Sequence, residues 1–206
     1  MKTLVPLFLF AISIHALVAQ TSEPVESISR GTKFIGGSFS FSSMKIDETY
    51  KYSGISIGPG MGYYIQDDLA FGGFLSYNFS KNEQPNINSS STFSGIGINV
   101  FLLKNYRITN NFFFTLQPQL SVGSGKQEYS NIIANDYSRF DFGLGISPGM
   151  MFFVSRKFAL QTSLGNLSYG YERRKPESGG NTSNTHSFGL NGALSASSFA
   201  IRYFLW

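Results

Sequence analysis

Residues 139–154 read RFDFGLGISPGMMFFV, in which large apolar side chains alternate with small or polar ones. The apolar set occupies every even position: Phe140, Phe142, Leu144, Ile146, Pro148, Met150, Phe152 and Val154. The odd positions begin with the charged residues Arg139 and Asp141 and continue mainly with glycine and serine. Successive side chains of a β-strand point to opposite faces of the sheet. The segment is therefore predicted to be a strand with one apolar face and one small, polar face.

Three more segments, residues 53–65, 69–79 and 112–122, show the same alternation. In all four segments the apolar face carries no charge, and more than half of the opposite positions are Gly, Ser, Ala or Thr. A sheet that faces water normally carries polar and charged side chains on its solvated face. The pattern therefore favours a closed barrel with lipid outside, because hydrocarbon does not tolerate unpaired sheet edges. A soluble ligand-binding barrel of the lipocalin type, with the apolar face inside, is an alternative that periodicity alone leaves open.

Four further segments bring the number of predicted strands to eight: residues 33–43, 93–103, 158–171 and 186–206. The third of these changes phase at Gly165 and Asn166, where we predict a β-bulge. The last also changes phase. The predicted fold class is all-β: an eight-stranded antiparallel up-and-down transmembrane β-barrel.

The predicted connections alternate in length. Residues 66–68, 105–111 and 155–157 form short connections, whereas the long polar loops are residues 44–51, 81–91, 126–136 and 173–185. Short turns at one rim and long loops at the other are typical of outer-membrane barrels, whose long loops face outward.

The composition excludes several classes of protein. Only 14% of the 206 residues are charged, against roughly 25% in an average soluble domain. The absence of cysteine excludes disulfides, thiolate metal sites and cysteine nucleophiles. The net charge is only +4 and the longest basic run is residues 173–175, so nucleic acid is not an expected partner. No cofactor and no metal site are predicted, since histidines and carboxylates do not cluster.

The N-terminal residues resemble an export signal. A short basic start is followed by an apolar stretch, residues 4–18, and by the small residue Ala19. This layout predicts a cleavable signal peptide over residues 1–19 and export to the outer membrane of a Gram-negative cell. The predicted mature chain has a polar segment, residues 20–30, before the barrel domain at residues 31–206.

An internal repeat links the chain to a known family. The sequence GPGMGYY at residues 58–64 is followed by a turn and LAF, and residues 147–153 repeat the pattern as SPGMMFF, followed by a turn and FAL. This pattern resembles the small outer-membrane β-barrel proteins of the OmpX/OmpA-like type found in Bacteroidetes. The resemblance implies insertion by the barrel-assembly machinery, with Tyr203, Phe204 and Trp206 as the assembly signal. One departure from the family pattern is that Arg202 shares its phase with Phe204 and Trp206, which leaves the register of the last strand open.

Two sets of side chains are candidates for chemistry. Arg139 and Asp141 are expected to form a charge pair in the lumen, with each other or with Glu172 or Arg202, since an unpaired buried charge is costly. The alternative is that they form a selectivity element in a narrow pore. His186 lies beside Ser187, but adjacent strand residues point to opposite faces, so a catalytic pair is not expected there.

These observations predict a membrane-anchored protein without catalysis. Its expected role is structural or interactive, with outer-membrane lipids around the barrel and a possible extracellular partner at the four long loops. A narrow pore for small solutes or ions, or a lipid-modifying enzyme, are the alternatives.

Overall fold

The computed structural model describes residues 24–47, 49–130, 136–192 and 199–206. The predicted signal peptide, residues 1–19, lies outside this part of the chain. None of the described residues forms a helix that is long and apolar enough to cross a membrane.

The described chain is almost entirely β-structure. The strands are β1 Lys33–Ile46, β2 Tyr50–Gln66, β3 Leu69–Gln84, β4 Ser89–Thr109, β5 Phe112–Tyr129, β6 Tyr137–Ser155, β7 Phe158–Ser163, β8 Gly165–Pro176, β9 Ser183–Gly192 and β10 Phe199–Leu205. A short 3₁₀ helix, Pro85–Ile87, connects β3 to β4. All the strand pairings are antiparallel.

The sheet closes into a ring of eight strands. Strands β1 to β6 pair in sequence, β6 pairs with β7, β7 with β10, and β10 with β1. The closing contact runs from Lys33↔Leu205 to Phe39↔Phe199. Strands β8 and β9 extend this ring, with β8 pairing with the first half of β6 and β9 pairing with β8. The predicted eight-stranded antiparallel barrel is confirmed.

One of the eight predicted strands is divided, which corrects the predicted position of its phase change. The predicted strand at residues 158–171 breaks at Leu164, between β7 and β8, and not at Gly165 and Asn166. There the Ser163 hydroxyl donates to the Gly165 carbonyl at 2.8 Å, and the Leu164 N–H donates to the Pro148 carbonyl at 2.9 Å. These bonds satisfy the backbone where the strand changes phase. The predicted strand at residues 186–206 includes residues 193–198, which lie outside the described part.

The strands extend into all four predicted long loops, and this is a second correction. Of the loops at 44–51, 81–91, 126–136 and 173–185, the strands take up residues 44–46, 50–51, 81–84, 89–91, 126–129, 173–176 and 183–185. The connection predicted at 105–111 likewise shrinks to residues 110–111. Polar sequence marked these stretches as loops, but ladder hydrogen bonds form whatever the polarity of the side chains.

The two faces of the ring differ as the alternation predicts. Apolar side chains project outward and are largely exposed: Phe39 is 60% exposed, Ile96 67% and Ile98 60%. The small residues project inward, and the core lies at the end where the short turns and both described termini meet. We call this the short-turn end and the opposite one the long-loop end.

Candidate functional site

An aromatic layer fills the lumen at the short-turn end. We call it the floor; its rings are Phe34, Tyr64, Phe101, Phe113, Phe153 and Phe204. Adjacent ring centroids lie 4.8 Å apart for Phe153 and Phe204, and 5.7 Å apart for Phe34 and Phe204. These distances are typical of packed aromatic pairs. The lumen is therefore occupied by side chains at this level, as is usual for an eight-stranded barrel.

Glycine makes room for these rings in the wall. At Gly62 an added Cβ would collide with the ring of Phe34, and at Gly36 it would collide with the Ile201 carbonyl. At these two positions the absence of a side chain leaves room for the Phe34 ring and for the close approach of the neighbouring strand.

Arg202 lies on the lumen side of the floor and is almost fully buried. Its guanidinium carbon is 4.3 Å from the ring centroid of Phe34 and 5.6 Å from that of Phe101, both within cation–π range. Its Nε donates to the Gln161 side-chain carbonyl at 2.7 Å. Arg202 and Phe204 thus face inward, and this fixes the register that the sequence left open.

The other aromatic residues of the last strand lie on different sides of the wall. Tyr203 faces outward and packs edge-on against Phe158, with centroids 5.0 Å apart. Trp206 donates from its indole nitrogen to the Arg156 carbonyl at 2.6 Å, at the rim. Their proposed role with Phe204 as an assembly signal remains a prediction.

The N-terminal segment crosses the short-turn end, a feature that sequence reasoning missed. We call residues 24–30 the strap. Val25 and Ile28 of the strap are buried in the same core as the floor. The Asp68 carboxylate accepts from the Ile28 N–H and from the Ser27 hydroxyl, both at 2.9 Å, and the Asp67 carboxylate accepts from the Arg30 N–H at 2.8 Å. The sequence does carry a signal for the strap. Val25 and Ile28 are apolar residues in a largely polar segment, and Asp67 and Asp68 are adjacent carboxylates in a short turn.

Charged side chains meet in the lumen toward the long-loop end. Arg139 Nε lies 2.5 Å from Asp141 Oδ1 and 2.9 Å from Glu172 Oε2. Arg174 also pairs with Glu172. Two cations and two carboxylates therefore form one network, and Arg139 additionally covers the ring of Phe93 at 5.3 Å. The sequence pointed to Arg139, Asp141 and Glu172 but not to Arg174, although its spacing from Glu172 repeats that of Arg139 and Asp141.

A cavity of 340 Å³ adjoins this network. We call it the cup. Its inward-facing polar lining comes from β1, β2, β3 and β6: Ser40, Ser42, Tyr52, Ser56, Asn78, Ser80, Arg139 and Asp141. Arg139 and Asp141 keep about a third of their side-chain surface exposed, so solvent reaches the cup.

His186 and Ser187 do not form a catalytic pair. His186 faces outward beside two tyrosines, and its Nδ1 lies 2.7 Å from the Tyr169 hydroxyl oxygen. The Ser187 hydroxyl is near the Gly170 carbonyl on the inward face. Among the described residues there is no group of three or more His, Cys, Asp or Glu side chains that could hold a metal ion.

A closed antiparallel ring with an apolar outer face and a filled floor defines an integral membrane β-barrel. The chain belongs to the family described as outer membrane protein beta-barrel domain, which matches residues 6–194. The family is one of outer-membrane proteins, and this places the barrel in the outer membrane. The Bacteroidetes type suggested by the sequence pattern stays a prediction.

Solved structures similar to this chain include three outer-membrane proteins. The translocator domain of the autotransporter NalP from Neisseria meningitidis is 12% identical, with 89% of this chain and 68% of that chain covered and a TM-score of 0.49. Neisserial surface protein A is 19% identical, with 86% and 97% covered and a TM-score of 0.43. The attachment invasion locus protein Ail of Yersinia pestis is 16% identical, with 85% and 99% covered and a TM-score of 0.43. No curated protein matches the sequence.

Proposed function

We propose that this barrel is a membrane anchor that displays rigid β-hairpins to partners outside the cell, without catalysis. The observation that carries the proposal is strand length. Strands β2 to β6 contain 17, 16, 21, 18 and 19 residues. A tilted strand needs only about 9–11 residues to cross the membrane.

The excess length projects beyond the lipid at the long-loop end. At about 3.3 Å per residue and a tilt of about 40°, a strand of this length rises roughly 40–50 Å, against an apolar band of about 25 Å. Because the extra residues are paired in ladders, they form a stiff wall and not flexible loops.

Charged side chains cover the outside of this projecting wall. Lys81 and Glu83 pair at 2.5 Å on β3, and the hydrogen bond from Lys81 lowers the pKa of Glu83. On β5, Lys126 lies 3.3 Å from both Glu128 and Glu177, and these carboxylates raise its pKa. Such exposed pairs add little stability, so their residues are available for contacts with a partner.

The general architecture of outer-membrane barrels supports the orientation in this proposal. Long loops of outer-membrane barrels face the exterior, and short turns face the periplasm. In this proposal the apolar outer face contacts outer-membrane lipids, the barrel-assembly machinery inserts the chain, and a signal peptide at residues 1–19 exports it.

The two alternative functions receive less support from the geometry. A pore would need an open path, whereas the floor and the strap occupy the lumen at the short-turn end among the described residues. A lipid-modifying enzyme would need an activated nucleophile, whereas Ser187 and His186 lie on opposite faces.

Photo-crosslinking on intact cells tests the proposal. A photoreactive amino acid is placed at Glu83 or Glu128 on the projecting wall, and at Leu75 in the lipid-facing band as the matched control. We expect discrete protein adducts from the first two positions and lipid adducts alone from Leu75.

Removing the projecting part of one hairpin, residues 80–92, should abolish the adduct from Glu128 or shift its mass if the partner spans neighbouring strands. Correctly folded barrels that give no protein adduct from either wall position would contradict an interaction role.

A further inference from the structure

The cup has a chemistry of its own, distinct from the projecting wall. We propose that it binds a neutral, polyhydroxylated ligand, the size of one or two sugar units. This inference does not depend on the proposed function, because it concerns the lumen and not the outside of the hairpins.

The first support is a patch of polar side chains without partners. Ser40 and Ser42 on β1, Tyr52 and Ser56 on β2, and Asn78 and Ser80 on β3 line one side of the cup. They are close neighbours in the ladder, where Ser40 pairs with Ser56 and Ser56 with Asn78. Within the part of the chain that the structure describes, these six side chains form no hydrogen bond with another residue.

Hydrogen bonding explains why such a patch favours a ligand with many hydroxyls. Polar groups in a confined site need partners, from water or from a ligand. Each serine hydroxyl both donates and accepts, and so does the Asn78 amide. A sugar hydroxyl has the same dual capacity, so one ring can replace several waters at once.

The charges facing the patch explain why the ligand should be neutral. Arg139 and Asp141 line the cup, and with Glu172 and Arg174 they form a network of two positive and two negative groups. Each charged side chain of this network already has an oppositely charged partner. A charged ligand would therefore have to compete with that partner for the side chain it approaches. A neutral polyol can accept from a guanidinium and donate to a carboxylate without separating the pair. The ring of Phe93, with the Arg139 guanidinium over it, also lines the cavity.

Free space is the third support. A cavity of 340 Å³ lies within the usual size range of small-molecule sites, and one or two sugar rings are small ligands. Gly123 of β5 stands opposite Asp141 in the ladder. An added Cβ there would lie 3.3 Å from the Ile96 carbonyl oxygen and 3.8 Å from Asp141 Oδ2. A side chain at position 123 therefore requires the β4 backbone to give by a few tenths of an ångström, and it would lie beside Asp141 at the edge of the cup.

Ligand-observed NMR on the refolded barrel tests the inference. The probes are glucose, N-acetylglucosamine and their β-linked disaccharides, with inorganic phosphate and choline as the charged comparisons. We expect saturation transfer from the barrel to at least one neutral sugar and weaker transfer to phosphate and choline.

Two kinds of variant assign the signal to the cup. Ser40→Ala combined with Ser56→Ala should weaken sugar binding about tenfold or more, the effect of losing one to two hydrogen bonds. Gly123→Leu should abolish binding by filling the cavity. Ser94→Ala is the matched control, because Ser94 projects outward from β4, and it should leave binding unchanged.

Heat-modifiable gel mobility confirms that each variant is folded. The inference is overturned if the folded wild-type barrel shows no transfer to any of the sugars, or if phosphate or choline binds more tightly than they do. It is also overturned if Gly123→Leu binds sugar as well as the wild type. The deletion of residues 80–92 also removes Ser80 from the cup, so it cannot separate the two proposals. Gly123→Leu separates them, because it should abolish sugar binding and leave the cross-links at Glu128 intact.

Discussion

The strap provides the sharpest prediction, because the Asp68 side chain accepts two of the hydrogen bonds that hold it. Asp68→Ala removes the hydrogen bonds that the carboxylate accepts from the Ile28 N–H and the Ser27 hydroxyl. Hydrogen bonds to a charged group contribute about 1.5–3 kcal/mol each, and these are partly exposed, so the low end applies. Their loss should lower the free energy needed to open the strap by about 3 kcal/mol. This is equivalent to a roughly 100-fold larger population of molecules with an open strap.

Backbone strain has to be separated from this effect. Asp68 has φ +58°, a left-handed conformation that Asp and Asn tolerate better than Ala. Asp47 has φ +47° in a turn at the long-loop end, so Asp47→Ala carries a similar backbone cost far from the strap. Asp68→Asn keeps one carbonyl acceptor and should show an intermediate effect.

Hydrogen–deuterium exchange of the refolded barrel measures the population of the open strap. Amides of residues 25–31 should exchange about 100-fold faster in Asp68→Ala, and at the wild-type rate in Asp47→Ala. The interior amides of β10 should stay protected in both, because the floor does not depend on the strap for its ring contacts. Equal exchange in the strap of Asp68→Ala and Asp47→Ala would refute the reasoning.

Three further predictions follow from the lumen and the outer face. Arg202→Ala should lower the free energy of unfolding by about 3 kcal/mol, because it leaves a cavity and unpaired glutamines. Arg202→Met should stay within about 1 kcal/mol, because it fills most of the space and removes a buried charge. Urea unfolding followed by Trp206 fluorescence compares them, and equal losses would contradict the reasoning, since both variants lose the cation–π contacts alike. Wild-type barrel and Asp68→Ala should both be silent in planar bilayers, since the aromatic floor remains when the strap opens, and stepwise ion currents from either would show an open path. His186→Ala should leave the lipid A profile of producing cells unchanged by mass spectrometry, because the ring faces outward beside Tyr169, and an altered profile would revive the enzyme hypothesis.

The barrel itself could be predicted from the sequence because its signal is repeated. Alternation depends on a local property, because successive side chains of a strand point in opposite directions. Every strand therefore shows the same pattern. The phase change after Leu160 was visible for the same reason, since Leu167 and Tyr169 restart the outward face at odd positions. The break at Leu164 could not be placed, because it depends on the hydrogen bonds of Ser163.

The two ends of the lumen could be predicted far less well. Inward aromatics such as Phe34 and Phe153 were hidden in a face dominated by glycine and serine, and their packing depends on neighbours far apart in the chain. The strap depends on a contact between Ile28 and Asp68, 40 residues away. Polar stretches such as the one with Lys81 and Glu83 are predicted as loops from sequence, because ladder hydrogen bonds between backbones leave no mark on side-chain polarity.

Closure of the first strand on the last is the central claim, and a disulfide tests it most directly. The chain has no cysteine, and Ile35 and Tyr203 are ladder partners that both face outward across the β1–β10 seam. Opposed Cβ atoms in such a pair are about 4.5–5.5 Å apart, close enough for a bond after slight adjustment. Oxidising Ile35→Cys/Tyr203→Cys in isolated outer membranes should give an intramolecular disulfide seen as a mobility shift, whereas Ile35→Cys/Leu160→Cys, one strand farther away, should give none. Absence of the bond in the first pair, or equal bonding in the second, would contradict a barrel closed in this register.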